Sequence, residues 1–216
     1  MKKQFCIIGC GRFGATVANK LTELGCEVMV VDTDEEKIQT ISNDVTYAVQ
    51  ADATDENSLK SIGVRNFDVV IISIGENIQS STLVTLMVKE MGVKHIVAKA
   101  QNELHGKVLS KIGANRIVYP EKEMGIRIAK NLVSDNILDY IELAPDYSIM
   151  EALALEEWLG KNLIELDMRA KYGVNVMAIK HGTEINIAVT ADVVIKEGDI
   201  LVVIGHNDDL KKIENA

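Results

Sequence analysis

Short apolar runs alternate with amphipathic stretches along the first 119 residues of the chain. A short apolar run bounded by turn residues predicts a buried strand, and apolar residues that recur three and four positions apart predict a helix. Thr33 and Glu36 predict a capping box for the second helix, and Asn102 predicts a cap for the fifth. The predicted strands cover residues 5–8, 28–31, 47–51, 68–74, 95–99 and 116–119, and the helices between them cover residues 13–24, 33–43, 55–62, 78–91 and 102–112. Strands that alternate with helices favour right-handed crossovers, so we predict an α/β fold with a doubly wound parallel sheet.

The pattern changes after residue 119. Residues 120–136 predict one more amphipathic helix, which lies beyond the sixth strand and is expected to pack on another subunit. The rest of the chain predicts strands at residues 137–143, 149–155, 174–180, 184–189 and 200–204, a helix at 163–172 and a last helix that begins at Asn207. His181-Gly182-Thr183 is typical of a hairpin turn. We therefore expect an N-terminal domain of residues 1–136, which includes the crossover helix at 120–136, and a small α+β C-terminal lobe of residues 137–216. Pro145-Asp146, after which the composition is α+β, is expected to mark the domain boundary along the chain.

Three glycines, Gly9, Gly11 and Gly14, join the first strand to the first helix with the spacing G-x-G-x-x-G. In a Rossmann-like unit the first glycine permits the tight turn, the second lets the backbone approach a phosphate, and the third lets helix and strand pack closely. The helix N-terminus offers N–H groups and a partial positive charge to an anion. Asp32 ends the second strand, where its carboxylate is placed to accept hydrogen bonds from both ribose hydroxyls and to repel a 2′-phosphate. These features predict a mononucleotide-binding unit that disfavours NADP; the alternative is a tight turn with glycines by chance.

Arg12 lies between the second and third glycines, at the mouth of the helix. A guanidinium there suits a ligand with several negative charges, such as a nucleoside diphosphate or triphosphate. The alternative is a solvated arginine near the helix start. In a doubly wound sheet, ligands bind outside the carboxyl ends of the strands, which here means close to Asp52, Gly75 and Lys99.

The composition, with 47% hydrophobic residues and no long apolar run, predicts a soluble globular protein without a membrane span or a signal peptide. The formal net charge of −9 argues against a nucleic-acid partner, because phosphate binding needs clustered cations. The three cysteines, Cys6, Cys10 and Cys26, have neither metal spacing nor a disulfide framework, which favours a reducing cytosol.

Several segments together resemble the RCK (regulator of potassium conductance) family, and within it the Ktr-type cytosolic regulatory subunits of bacterial potassium-uptake systems. They are GCGRFG at residues 9–14, DATDE at 52–56, IGEN at 74–77, AKAQ at 98–101 and PEKEMG at 120–125, and the tail resembles the family's C-terminal lobe at residues 163–173 and 199–205. The resemblance covers nearly the whole chain and implies a TrkA-N domain followed by a TrkA-C lobe.

The resemblance implies that ATP and ADP compete for the N-terminal domain, and that NAD(H) is a further ligand. By motif match, Arg12 would reach the terminal phosphate. Glu121 corresponds to an acid that binds Mg²⁺ or another divalent cation near the phosphates, a hard ion that prefers oxygen ligands. The alternative for Glu121 is a helix-start acid favoured by the macrodipole. The full set of implied nucleotide-binding residues is Gly9, Gly11, Arg12, Phe13, Gly14, Asp32, Asp52, Ala53, Ile74, Gly75 and Lys99.

The resemblance also implies that the C-terminal lobe binds cyclic di-AMP at a dimer interface. Arg169 would meet a phosphate, and Leu163 and Ile164 would form apolar walls for the adenines; alternatively, Arg169 is only a helix-end cation. Thr190-Ala191 replaces a proline-containing stretch of the family and puts the edge of this pocket in doubt. The implied residues are Leu163, Ile164, Asp167, Arg169, Ala170, Asn175 and His181.

By the same resemblance the chain is not an enzyme. It would form an octameric ring, a tetramer of dimers, beneath a membrane-embedded potassium channel subunit, and so be cytoplasmic and peripheral to the inner face of the membrane. The first alternative is an NAD-dependent oxidoreductase, but the histidines are scattered and none follows a catalytic motif. ATP hydrolysis is not expected, because no G-x-x-x-x-G-K-[ST] loop is present. The second alternative is a redox sensor that uses Cys10, whose pKa a helix N-terminus would lower.

Overall fold

A computed structural model describes residues 2–133 and 136–214 of the chain. Its backbone contacts divide the chain into two compact units, Met1–Glu121 and Lys122–Ala216, and each unit has its own sheet. The predicted division at residue 136 stays a prediction. In the part of the chain that the structure describes, no helix combines the length and the apolar character needed to cross a membrane.

The first unit is a six-stranded sheet in the order β3-β2-β1-β4-β5-β6, with every neighbouring pair parallel. This order is that of a Rossmann-like doubly wound sheet, so the predicted fold class is confirmed. The elements are β1 (Gln4–Ile8), α1 (Arg12–Glu23), β2 (Glu27–Asp32), α2 (Glu35–Ile41), β3 (Tyr47–Gln50), α3 (Glu56–Ser61), β4 (Val69–Ile72), α4 (Ile78–Glu90), β5 (Ile96–Lys99), α5 (Glu103–Lys111) and β6 (Arg116–Val118).

The sheet of the first unit is covered on both faces. Alternate residues of β1 enter two different cores, because successive side chains of a strand point to opposite faces. Ile7 packs with the apolar residues beside α1 and α2, whereas Cys6 and Ile8 pack with those beside α3, α4 and α5. Burial on both faces explains why the central strands are continuous apolar runs and do not alternate with polar residues.

Side-chain caps fix where the helices of this unit begin. Asn102 caps α5 by accepting from the His105 N–H at 2.9 Å, as predicted. The predicted Thr33–Glu36 capping box is wrong, because Asp34 is the cap of α2 and accepts from the N–H of Glu36. The reason is that the carboxylate of Asp32 holds the Asp34 N–H at 2.9 Å, which delays the start of the helix.

Helix α6 (Pro120–Val133) covers the predicted crossover helix up to residue 133; residues 134 and 135 of that prediction lie outside the described residues. The second unit contains a five-stranded antiparallel sheet in the order β10-β9-β11-β8-β7. The predicted α+β lobe is thereby confirmed. Its elements are β7 (Ile137–Ala144), β8 (Tyr147–Leu153), α7 (Leu163–Leu166), α8 (Met168–Tyr172), β9 (Asn175–His181), β10 (Glu184–Asn186), β11 (Asp199–His206) and α9 (Asn207–Glu214).

Three local predictions for this lobe are corrected. Pro145-Asp146 is the two-residue turn of the β7–β8 hairpin, so it marks no change of domain. The predicted helix at 163–172 is broken at Asp167, whose φ of 41° is left-handed and ends α7. The predicted strand at 184–189 shortens to β10, because the chain leaves the sheet edge after three paired residues.

The core of the lobe surrounds Trp158, which is fully buried. Its ring packs edge-on against Tyr172 with centroids 5.6 Å apart, and its indole N–H donates to the Tyr172 hydroxyl at 3.0 Å. Tyr172 in turn donates to the carboxylate of Glu157. This chain of hydrogen bonds satisfies the polar atoms of both aromatic side chains and fixes α8 on the sheet.

Candidate functional site

The glycine turn between β1 and α1 is held at both ends. Gly9 has a φ of +103° and donates to the Val31 carbonyl at 2.8 Å, while its own carbonyl accepts from the Ser73 hydroxyl at 2.5 Å. A Cβ on Gly14 would lie 2.1 Å from the Gly9 carbonyl oxygen, whereas a Cβ on Gly11 would meet open space. Each glycine therefore has the geometry predicted for it: a turn at Gly9, an open approach at Gly11 and close packing at Gly14.

The N-terminus of α1 is open to a ligand. Gly11 is its cap residue, and no side chain of the described residues caps the first-turn N–H groups. The first turn carries no acidic residue, and Arg12 is its first residue. A helix end with N–H groups left uncapped and a partial positive charge attracts an anion, and the guanidinium adds a full charge.

Asp32 has a structural role that the sequence did not reveal. Its carboxylate accepts from the Cys10 N–H at 2.5 Å and from the Asp34 N–H at 2.9 Å. It therefore ties the glycine turn to the start of α2. Each carboxylate oxygen accepts more than one hydrogen bond, so capacity for the ribose hydroxyls remains.

Asp52 and Ala53 follow β3 on the same side of the sheet. The hydroxyl and the N–H of Thr54 both donate to Asp52, at 2.7 and 2.8 Å. These bonds, the hydroxyl first, lower the pKa of Asp52 and keep it ionised. Asp52 thus adds an oriented carboxylate beside Asp32.

Lys99 and Glu121 form the opposite wall. The Lys99 ammonium lies 2.5 Å from a Glu121 carboxylate oxygen and 6.0 Å from the centroid of the Phe13 ring. The hydrogen bond from Lys99 lowers the pKa of Glu121, and the charge of Arg12 adds to this effect. The backbone of Gly75 closes this wall, since a Cβ built there would lie 3.4 Å from the Lys99 nitrogen.

These residues line one cleft of about 490 Å³ at the carboxyl ends of the strands. The cleft takes in all the N-terminal residues predicted for the nucleotide except Gly14, which packs beneath the turn. Sequence reasoning missed further polar lining residues, which are Thr33, Lys37, Thr54, Ser73, Glu76, Asn77 and Ser80. Thr33 and Ser73 directly follow a strand, and that position is the signal by which these two could be found.

The described side chains of the cleft do not by themselves complete the coordination of a divalent cation. Among the described residues, no group of three His, Cys, Asp or Glu side chains is close enough to hold a metal ion. Mg²⁺ in nucleotide sites keeps several waters and takes one or two carboxylates plus phosphate oxygens. Glu121 is a carboxylate on the lining of the cleft, and in this structure it pairs with the Lys99 ammonium.

Cys10 does not have the reactive character expected of a redox sensor. Its side chain is buried, with 6% exposed. Burial, and after it the negative charge of Asp32, raises the pKa of the Cys10 thiol. The expected lowering by the helix N-terminus is therefore wrong, since desolvation and a neighbouring carboxylate both disfavour the thiolate.

The residues predicted for cyclic di-AMP separate into two places on the second unit. Leu163, Ile164, Asp167, Arg169, Ala170 and Asn175 surround α7 and α8. The Arg169 guanidinium donates to the Asn175 side-chain oxygen at 2.9 and 2.6 Å, and Ile164 is 67% exposed. The Ile164 N–H donates to the Ala191 carbonyl at 3.1 Å, so the departing Thr190-Ala191 segment borders this group.

His181 lies elsewhere. It ends β9, which begins at Asn175, so the two residues are separated by about 20 Å of extended strand. The His181 Nδ1 lies 2.8 Å from a carboxylate oxygen of Asp199, a buried residue at the start of β11. Within a single chain, His181 and Arg169 therefore do not form one site.

Comparisons with known proteins extend over the whole chain. The family model described as TrkA-N domain matches residues 5–120, and the one described as TrkA-C domain matches residues 151–216. The Ktr system potassium uptake protein C of Bacillus subtilis (strain 168) is 51% identical over 214 residues, which are 99% of this chain and 97% of the relative. Protein A of the same organism and system is 49% identical over 213 residues, with 99% and 96% covered. The crystal structure of the GsuK RCK domain, 19% identical, has the same fold with a TM-score of 0.70, covering 100% of this chain and 47% of that one.

Proposed function

This chain belongs to the family of Ktr system potassium uptake proteins, which combine a TrkA-N and a TrkA-C domain, and we propose that it is the nucleotide-sensing, gating subunit of a bacterial potassium channel or transporter. Its ligand in the N-terminal domain is ATP or ADP, with NAD(H) as a further candidate. Its partner is a membrane-embedded potassium channel subunit, which holds it at the inner face of the cell membrane.

One observation carries the proposal: a ribose acceptor and phosphate-binding groups face the same cleft. Asp32 lies beside the glycine turn, where it holds the Cys10 N–H, and the uncapped N-terminus of α1, Arg12 and Lys99 line the same cleft. The uncapped N–H groups suit a pyrophosphate, and the two cations suit the additional charge of a third phosphate. The chemistry of the cleft therefore favours an adenosine diphosphate or triphosphate over an uncharged ligand.

The proposed function needs no turnover. The described residues that line the cleft include no histidine, and its carboxylates Asp32, Asp52 and Glu121 are held by hydrogen bonds or by Lys99. Ligand binding acts by biasing two shapes of a ring, which requires that the ligand bind one shape more tightly than the other. A γ-phosphate that is present in ATP and absent in ADP supplies such a difference at Arg12.

The ring is an octamer, a tetramer of dimers. Helix α6 supports an assembly, because it exposes apolar side chains along its length. These are Met124, Ile126, Ile128 and Leu132. Met124, Ile128 and Leu132 recur every four residues and so share one face of the helix, and an exposed apolar face of this kind is typical of an interaction surface.

The C-terminal lobe binds cyclic di-AMP across a dimer interface. Arg169, oriented by Asn175, is placed for a phosphate, and the exposed Ile164 is placed for an adenine face. Because His181 lies about 20 Å along the strand from Asn175, it approaches the same ligand only from a second chain. The separation of these residues thus favours a site built from two copies.

Calorimetric titration of the purified protein with ATP, ADP and NADH, each with and without Mg²⁺, tests the nucleotide assignment. Tight binding of ATP and ADP, with neither phosphate release nor NADH oxidation in parallel assays, supports a gating subunit. Binding of NADH alone, with oxidation of a substrate, would establish the alternative of an oxidoreductase. Cyclic di-AMP is titrated separately, with Arg169→Ala expected to lose that ligand and keep ATP.

A further inference from the structure

The two side chains of the Lys99–Glu121 ion pair differ in how much solvent they meet. The side chain of Lys99 is 13% exposed, whereas that of Glu121 is 69% exposed. Lys99 ends β5 at the floor of the cleft, with the Phe13 ring on one side and the Gly75 backbone on another. Glu121 stands in the first turn of α6 and reaches over the cleft from solvent.

This arrangement makes the ammonium available to a better acceptor. An ammonium has three donors, and Glu121 accepts one of them. A buried cation loses hydration, so it gains strongly from any close anion. The terminal phosphate of a nucleotide carries more charge than a carboxylate, and the ammonium lies on the wall of the same cleft.

Binding of a phosphate to Lys99 is unfavourable for the Glu121 carboxylate, because it removes the counter-ion of that carboxylate. Without Lys99 it loses its hydrogen-bonded counter-ion beside further negative charge, and the charge of Arg12 acts on it less strongly than Lys99 does. Two like charges close together are unfavourable, and a divalent cation that bridges carboxylate and phosphate oxygens removes the repulsion.

We propose that Lys99 is the resident counter-ion of Glu121 in the nucleotide-free protein and transfers to a nucleotide phosphate on binding, which leaves Glu121 free for a divalent cation. The ion pair is then exchanged on binding: Lys99 pairs with a nucleotide phosphate, and the divalent cation pairs with the Glu121 carboxylate. This inference rests on the proposed function and adds the order of events in the same cleft. Lys99 is a positioning residue that prevents Glu121 from binding cations in the absence of nucleotide.

A crystal structure with ADP bound in the presence of EDTA tests the transfer directly. We expect the Lys99 nitrogen within hydrogen-bond distance of a phosphate oxygen and more than about 4 Å from both Glu121 oxygens, beyond ion-pair range. A Lys99 that remains on Glu121 with ADP bound would overturn the exchange and leave the nucleotide-sensing function intact. Failure of ADP to bind at all in calorimetry would refute the proposed function instead.

The resident role is tested in solution by Mn²⁺ binding to the nucleotide-free protein, measured by electron paramagnetic resonance. Lys99→Met keeps the length of the side chain and removes its charge, and we expect Mn²⁺ affinity to rise about tenfold. Lys37→Met is the matched control, because Lys37 also lines the cleft but pairs with Asp34 at 3.2 Å. Adding Glu121→Gln to Lys99→Met should abolish the gain. An equal rise in both lysine variants, or none in Lys99→Met, would contradict the proposal.

Discussion

In the proposed function, Arg12 is the residue that distinguishes ATP from ADP. It lies at the uncapped N-terminus of α1, and its charge helps to lower the pKa of Glu121 on the opposite wall of the cleft. We expect Arg12→Ala to weaken ATP about tenfold and ADP much less, because a charge-assisted hydrogen bond to the third phosphate is lost. Calorimetric titration of both nucleotides measures this, with Lys37→Ala as a control that removes another cleft cation. Equal weakening of ATP and ADP would show that Arg12 does not meet the third phosphate.

Asp32, the proposed ribose acceptor, also supports the glycine turn. Asp32→Ala removes the ribose acceptor and the partner of two backbone N–H groups, those of Cys10 and Asp34. We expect ATP, ADP and NADH to weaken alike, with a loss of about 2 kcal/mol in the free energy of unfolding. Asp32→Asn retains one acceptor and should lie between Ala and the native protein in both respects. Titrations and urea denaturation of the three proteins measure the two effects, and unchanged affinity in Asp32→Ala would refute the ribose assignment.

Sequence predicted the residues of the cleft well where a residue's role follows from its position on one element. The three glycines, Arg12 and Asp32 flank one helix and two strands, so their spacing alone defines their geometry. The bond from Ser73 to Gly9 joins residues 64 positions apart, and no local pattern encodes it. It exists because β1 and β4 are neighbours in the sheet, a fact of register that becomes visible only in the folded chain.

At the scale of elements, Asp167 divides what periodicity predicts as one helix. Its left-handed backbone ends α7, and its carboxylate caps α8 by accepting from the Ala170 N–H at 3.3 Å. Both short helices bury residues in the same core, so the helical spacing of apolar residues continues through the break. For this reason the sequence pattern does not reveal the break. The strands of the first unit lacked this ambiguity, because each apolar run was bounded by turn residues.

Because Asp167 both ends α7 and caps α8, its substitutions should reduce the free energy of unfolding by amounts that follow a definite order. Asp167→Ala loses the cap and keeps the unfavourable φ, so we expect a loss of about 2 kcal/mol in the free energy of unfolding. Asp167→Gly relieves the backbone and loses only the carboxylate, and should cost about half as much. Asp167→Asn tolerates the left-handed region and retains a cap, so it should be nearly neutral. Urea denaturation gives the order, and a neutral Ala variant would contradict it.

Helix α5 contains a buried titratable group, His105. Burial lowers its pKa below the ordinary value of 6.5, so the unfolded chain binds a proton more readily than the folded one. Stability from the neutral ring is therefore present above pH 6.5 and lost as the pH falls below that value. We expect His105→Gln to reduce the fall in stability between pH 7.5 and pH 5.5, measured by thermal unfolding at each pH. His95→Gln, at an exposed position, is the control and should leave the fall unchanged.

At the scale of the whole molecule, the feature to explain is the exposed apolar face of α6. Its residues recur at helical spacing, yet Ile128 is 50% exposed in the isolated chain. Periodicity predicted both the helix and its apolar side, but the proposed covering surface would come from another copy and so has no trace in the pattern of one chain. The number of copies in the assembly is a property of several chains and cannot be read from the pattern of one.

A charged substitution on α6 tests whether another subunit covers its apolar face. Ile128→Asp places a carboxylate on the apolar face of α6, where burial against another subunit would desolvate it at a cost of several kcal/mol. We expect the assembly to dissociate into smaller species, measured by light scattering after size-exclusion chromatography. Leu24→Asp is the matched control, because Leu24 is 68% exposed and directly follows α1, far along the chain from α6. If the Ile128 variant stays in the native assembly while both variants remain folded by circular dichroism, α6 is not an assembly surface. The ring would then have to use other faces.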